Sequence, residues 1–175
     1  MKHLLVDAQI PKEKGSYCLV FSLETQLSIH IGKLGCIKFE PGYYFYLGSA
    51  KGPGGLRARV RRHLRLEKKK FWHLDYLTPY LEYQYLIFTF QFDKECEWSQ
   101  ILESNYAEFA SVPRFGSSDC RMSCKSHLAM TEYSIAQKEI SNLLNFNTRN
   151  LGQLFVFTND SKKYGKINSG NLSWF

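Results

Sequence analysis

The sequence predicts an α+β domain. Three features carry that reading: an early run of strand formers punctuated by glycines, a helix whose apolar positions recur one turn apart, and a later strand followed by a second amphipathic stretch. Gly15 to Leu23, GSYCLVFSL, is rich in residues that favour strands. The continuation QLSIHIGKLGCIKFEPGYYFYLG alternates apolar and polar positions and breaks at Gly32, Gly35 and Glu40-Pro41-Gly42, so the first third reads as an antiparallel meander. A glycine-rich loop ending at Gly55 then gives way to LRARVRRHLR. At about 100° per residue, Leu56, Val60 and Leu64 fall on one stripe. Arg59 and His63 border that stripe and are expected half-buried beside the sheet, while Arg57, Arg61, Arg62 and Arg65 point elsewhere, towards solvent.

EKKKFWHLDYLTPYLEY reads as a basic turn and a second helix, with Trp72, Tyr76 and Tyr80 at i, i+4 spacing and Pro79 near its end. His73 and Asp75 on it are expected to make one structural hydrogen bond each. YQYLIFTFQF is a strand. DKECEWSQILESNYAEFA is the next helix, with Asp93 as N-cap and Trp98, Ile101, Leu102, Tyr106 and Phe109 as its apolar face. Glu95 falls within that face and Glu97 at its margin; a carboxylate turned inward needs a partner or a task. PRFGSSDCRMSCKSHL is an irregular loop, TEYSIAQKEISNLLNF a helix and GQLFVF a strand, ahead of a polar tail in which Trp174 and Phe175 dock only if the end is ordered. The expected division is a domain over 1–130 and a C-terminal α/β extension over 131–175 packed on it.

At 175 residues and 44% hydrophobic content the chain can bury a real core, which excludes disorder. A net charge of +7 favours a polyanionic partner, nucleic acid first. Between 51 and 70, Lys51, Arg57, Arg59, Arg61, Arg62, Arg65, Lys68, Lys69 and Lys70 stand against the single Glu67, a density that suits a face tracking phosphates. No apolar run reaches the length of a bilayer span and the N-terminus does not read as a signal peptide, so a cytoplasmic protein without membrane contact is expected. Five cysteines, an odd set, suggest reduced thiols or a metal rather than a disulfide framework. Cys96, Cys120, Cys124 and His127 have the donor chemistry of structural Zn²⁺, with Asp119 as a spare ligand, but their spacing is not that of a standard finger or ribbon. Thiols buried behind the sheet are the preferred expectation.

The order of motifs is specific: Gly15-Ser16-Tyr17, YLGSA from Tyr46, GGLRARVRRHLR from Gly54, WHLDYL from Trp72, Glu95-Cys96, and FGSSDC from Phe115 followed by Ser126-His127-Leu128. In that order the chain resembles the GIY-YIG nuclease superfamily, and most closely a branch found alone or joined to endonuclease III-type DNA-repair glycosylases. The resemblance runs from about Gly15 to Leu128. It implies a small, mainly antiparallel sheet flanked by helices and metal-dependent hydrolysis of phosphodiesters. Tyr17 and Tyr46 match the motif tyrosines, Arg59 the helix arginine, His63 a polar aromatic position, and Glu95 the ligand of Mg²⁺ or Mn²⁺. The general base stays open among Tyr17, Tyr46 and His63. Lys51, Arg57, Arg61, Arg62, Arg65, Lys68, Lys69 and Lys70 become the nucleic-acid contacts. Nucleic acid, DNA foremost, is the implied partner, in repair or processing, with a DNA-repair protein as a further one; a non-catalytic binding module of the same fold is the alternative. Because Tyr17 and Tyr46 lie much further apart than the superfamily pattern has them, an extra hairpin is expected between them.

Overall fold

Gly15–Leu23 forms β1, the strand on which the sheet is built, and it is buried on both faces. The computed structural model describes residues 10–90, 93–105, 110–132, 140, 142, 144, 154–158, 164–168 and 171–174. Along the chain β1 is followed by β2 (Leu27–His30), β3 (Cys36–Phe39) and β4 (Gly42–Ala50), then α1 (Gly55–Leu64), α2 (His73–Leu77) and β5 (Glu82–Thr89). Helix α3 (Lys94–Asn105) leads to β6 (Ala110–Ser111), β7 (Leu128–Thr131), β8 (Leu154–Thr158), β9 (Tyr164–Asn168) and β10 (Asn171–Trp174).

The main sheet runs β10-β9-β8-β5-β1-β4-β7-β6, antiparallel at every pairing. The first third is therefore not one continuous meander. β1 pairs directly with β4 and β5, while β2 and β3 form their own two-stranded sheet. Burial explains the difference: β1 and β4 are apolar on consecutive positions and need cover on both faces, whereas β2 and β3 are partly exposed along their length. The extra hairpin expected between Tyr17 and Tyr46 is this β2–β3 unit. At the other edge β8 bonds β5, so the C-terminal strands continue the same sheet. Most of the helix expected over 131–146 lies outside the described residues; 140, 142 and 144 are helical, with Ile140 and Leu144 buried. Tyr106, Phe109 and Phe175 also lie outside the described residues.

Strand alternation divides the core. Tyr17, Leu19, Phe21 and Leu23 of β1 pack with Leu56, Val60 and Leu64 of α1 and Leu74 and Leu77 of α2. Cys18 and Val20, facing the other way, pack with Trp98, Ile101 and Leu102 of α3. The α1 stripe is buried as its periodicity predicts. The stretch after it departs from expectation, because α2 has five residues and passes into a 3-10 turn, Thr78–Tyr80, at Pro79. Tyr80 is consequently exposed at 55%, and no Trp72-Tyr76-Tyr80 stripe is built.

Asp75 knots this region together. Its buried carboxylate accepts the amides of Phe71 and Trp72 at 2.9 Å each, and pairs with Arg62 at 3.0 Å and Lys68 at 3.1 Å. Burial alone would raise its pKa, but the Trp72 and Phe71 amides and the Lys68 ammonium together bring it below the usual value. The Lys68 ammonium also donates to the carbonyls of Arg62 and His63, capping the C-terminus of α1.

A second constraint lies in the sheet. Gly48 of β4 stands opposite Tyr17 of β1, and a Cβ at Gly48 would collide with the Tyr17 phenol. Two stability changes are expected by urea denaturation. Asp75→Asn, which leaves Lys68 without its buried counter-charge, lowers stability by about 3 kcal/mol. Gly48→Ala lowers it by about 2 kcal/mol through overpacking. A change below about 0.5 kcal/mol in either variant contradicts the corresponding account.

Candidate active site

Two adjacent residues of β1 anchor the helices that build the site. Ser16 faces α3, where its Oγ accepts the Lys94 amide at 3.0 Å and fixes the first helical turn. Tyr17 faces α1, where its hydroxyl meets His63 Nε2 at 2.8 Å. Between these helices, at the end of the strands, opens a cavity of about 880 Å³ lined by Tyr17, Tyr46, Gly48, Arg59, Trp72, His63, Glu95 and Asp119, among others. The five candidate catalytic residues therefore border one space, although they come from β1, β4, α1 and α3.

His63 is buried to 1% exposure, deeper than its place beside the stripe predicts, because Tyr17 and Tyr46 close over it. The Tyr46 ring meets the imidazole edge-on at 5.3 Å between centroids. Burial first, and the Lys68 charge second, lower the His63 pKa to about 3, so the ring is neutral and a weak base. Its Nδ1 has no hydrogen-bond partner among the described residues. A tautomer protonated at Nε2 avoids burying an N–H without an acceptor at Nδ1, and in that tautomer His63 donates to the Tyr17 oxygen. Burial also raises both phenols; for Tyr17 the Tyr46 and Glu95 charges add to it and Arg59 opposes, and for Tyr46 Glu95 adds and Arg59 opposes.

Arg59 lies over the Trp72 ring, its Cζ 4.9 Å from the centroid, and forms no ion pair among the described residues. A structural Arg59–Glu95 bridge is thus absent among those residues. Glu95 is half-buried and lines the cavity rather than lying against the apolar core. Its neighbours are partnered, Asp93 with Lys51 and Glu97 with Lys94 at 2.8 Å. Glu95 itself has no hydrogen bond or ion pair among the described residues. A lone carboxylate with room for water is a donor set that fits Mg²⁺ or Mn²⁺.

The basic residues divide by role. Arg57, Arg61, Arg62, Arg65, Lys68 and Lys69 line a neighbouring cavity of about 790 Å³ together with Lys12. Lys68, however, has a side chain only 5% exposed and committed to Asp75, so it differs from the expected phosphate contact. Arg62 shares that carboxylate, Arg57 Nε donates to the Ile10 carbonyl at 2.6 Å, and Lys70 lies over the Tyr76 ring. Lys12, Arg61, Arg65, Lys69 and Lys70 are the exposed members.

Trp72 and Asp75 take roles that their expected places on the second helix do not show, and Gly116 escapes notice as a single position. Trp72 orients Arg59. Gly116, at φ 73°, lies against Tyr46 and His127, and its amide donates to His73 Nδ1 at 3.0 Å. Asp75 braces α1 behind His63. All three fall inside the motifs WHLDYL and FGSSDC, the signal that could have found them. Cys96, Cys120 and His127 line the far wall of the same cavity, with Cys124 beside them; the three thiols are half-buried there rather than packed behind the sheet.

Among the described residues, no helix is long and apolar enough to cross a membrane. No curated protein and no solved structure matches the chain. One family model does, over residues 16–148, a span that contains every residue of the cavity named above. The chain therefore belongs to the family described as domain of unknown function DUF123.

Proposed function

We propose that the protein is a metal-dependent endonuclease of GIY-YIG type that hydrolyses phosphodiester bonds in DNA, in repair or processing. The observation that carries this reading is the convergence on one cavity of Tyr17, His63, Arg59 and a Glu95 with no hydrogen bond or ion pair among the described residues. The motif resemblance and the adjoining basic cavity point the same way.

In this reading Tyr17 is the base and His63 a positioning residue. The Nε2–H bond to the Tyr17 oxygen favours the phenolate, which takes a proton from water as the water oxygen attacks phosphorus and the bond to the leaving oxygen breaks. Arg59, kept planar against Trp72, offers its N–H fork to the non-bridging oxygens as charge grows there. Glu95 would hold Mg²⁺ or Mn²⁺, which supplies charge to the leaving oxygen and eases ionisation of the nearby phenol. Arg61, Arg65, Lys69 and Lys51 follow the backbone on either side. The competing reading is a non-catalytic nucleic-acid-binding module, favoured by the burial that raises both phenols.

A cleavage screen over linear, flapped, branched and damaged duplexes with Mg²⁺ or Mn²⁺ separates the two. Glu95→Gln and Arg59→Ala are expected to cut slower by about 10²-fold or more with binding within about threefold. Arg61→Ala and Lys69→Ala weaken binding and each reduce the salt slope by about 1. Cleavage undiminished in Glu95→Gln, or no cleavage of any duplex by the wild type, leaves the binding module.

The neutral His63 carries a pH signature. Its folded pKa of about 3 lies below the unfolded value, so its contribution is complete above about pH 6.5 and is lost as the pH falls from there towards 3. Between pH 7 and pH 5 the wild type should lose about 2 kcal/mol that His63→Gln does not lose. Parallel stability profiles for the two proteins would place a charged imidazole in the folded state.

A further inference from the structure

Helix α3 is joined to the loop 112–127 along a single face. Cys96, Ser99 and Glu103 are spaced i, i+3, i+7, which stacks them on one side of a helix. Ser99 Oγ donates to the Ser126 carbonyl, Glu103 pairs with Lys125 at 3.3 Å, and Cys96 meets Cys120, Cys124 and His127. Two of these three junctions are closed by ordinary polar contacts. At the third, three thiols and an imidazole crowd together.

We infer that this third junction is a structural Zn²⁺ site formed by Cys96, Cys120, Cys124 and His127. Their four donor atoms lie within 4.8 Å of one another. Cys96 Sγ is 3.4 Å from Cys120 Sγ and 3.8 Å from His127 Nε2. A tetrahedral zinc ion with Zn–S bonds of about 2.3 Å sets its sulfur atoms about 3.8 Å apart, so the donors stand close to the spacing that the ion imposes. Sulfur-rich tetrahedral donors select zinc over the hard cations that suit Glu95. The imidazole is aimed for the purpose: Nε2 faces Cys96.

Four protein ligands fill a tetrahedron and leave no position for substrate, so the ion closes the structure rather than acting on a phosphate. Each thiol passes its proton to solvent as it ligates. The ion would tie the first turn of α3 to a loop held elsewhere by the Ser99 and Glu103 junctions and by backbone bonds such as Arg114 N–H to Lys125 O at 2.7 Å and His127 N–H to Phe115 O at 2.8 Å. It thereby fixes one wall of the cavity that Glu95 borders. This inference is independent of the nuclease reading.

The test is the zinc content of the full-length protein purified in a thiol reductant without chelator, followed by cobalt substitution. Wild type and Cys36→Ser should carry about one zinc per chain, Cys36 being exposed and outside the group. Cys96→Ser, Cys120→Ser and His127→Gln should each carry less than a tenth of that. Wild-type protein stripped of metal and titrated with Co²⁺ should develop sulfur-to-cobalt charge-transfer absorption that saturates at one ion and is displaced by Zn²⁺. That spectroscopic arm stands even if a variant does not fold. Zinc retained by Cys120→Ser, or wild-type protein that takes up neither metal and melts at the same temperature with and without chelator, overturns the proposal.

Discussion

The site depends on one pairing in the sheet: a tyrosine set against a residue with no side chain. Gly48 opposite Tyr17 lets the phenol lie across β4 and reach the last turn of α1. Tyr46, two residues before Gly48 and opposite Leu19, falls on the same face. A shift of one residue between β1 and β4 would send Tyr46 to the face that α3 covers and place a Cβ where the Tyr17 ring now lies. The β1–β4 pairing thus positions two rings at once, and strand alternation does the rest. Ser16 fixes α3, Tyr17 meets α1, and because the two residues are neighbours the helices must open towards the same end of the sheet.

A basic helix poses the opposite problem, since an excess of like charge repels itself and resists packing. Asp75 answers it locally. One buried carboxylate absorbs Arg62 and Lys68, and the same lysine satisfies the terminal carbonyls of α1. The helix can then press His63 into an apolar pocket while keeping Arg61 and Arg65 exposed. Coupling follows from this arrangement: the Lys68 charge that neutralises Asp75 also lowers the pKa of His63. The brace behind the site and the protonation state within it are one electrostatic system.

Much of this was legible in the sequence because it rests on local spacing. The α1 stripe and the inserted hairpin follow from periodicity and from motif order, whereas His63 lies deeper than its place beside the stripe implies and Glu95 borders the cavity instead of the apolar core. The partners were not legible. Nothing local distinguishes Lys68, a lysine spent inside the fold, from Lys69, which remains exposed; the difference is the distance of each from Asp75. Trp72 gave a helical spacing with Tyr76 and Tyr80, yet Pro79 ends that helix early and the ring supports Arg59 instead. Strand partnering in the first third is likewise not local, since alternation marks β2 and β3 as strands without telling which neighbour β1 selects. Partner choice there is decided by how much apolar surface each strand must cover, which only the assembled sheet reveals.

Glu95 and Cys96 are consecutive, and that adjacency separates two kinds of chemistry. Successive residues on a helix point about 100° apart, so one first turn presents an oxygen donor to the cavity and a sulfur donor to the loop. Hard cations with water in their shell suit the first, and a dehydrated tetrahedral ion suits the second. Were both proposed sites filled, ligand softness would keep the two cations from exchanging places even though their ligands share a helical turn. In that case the closed site would stiffen the backbone that carries Glu95 and leave its carboxylate, which lines the same cavity, open to solvent.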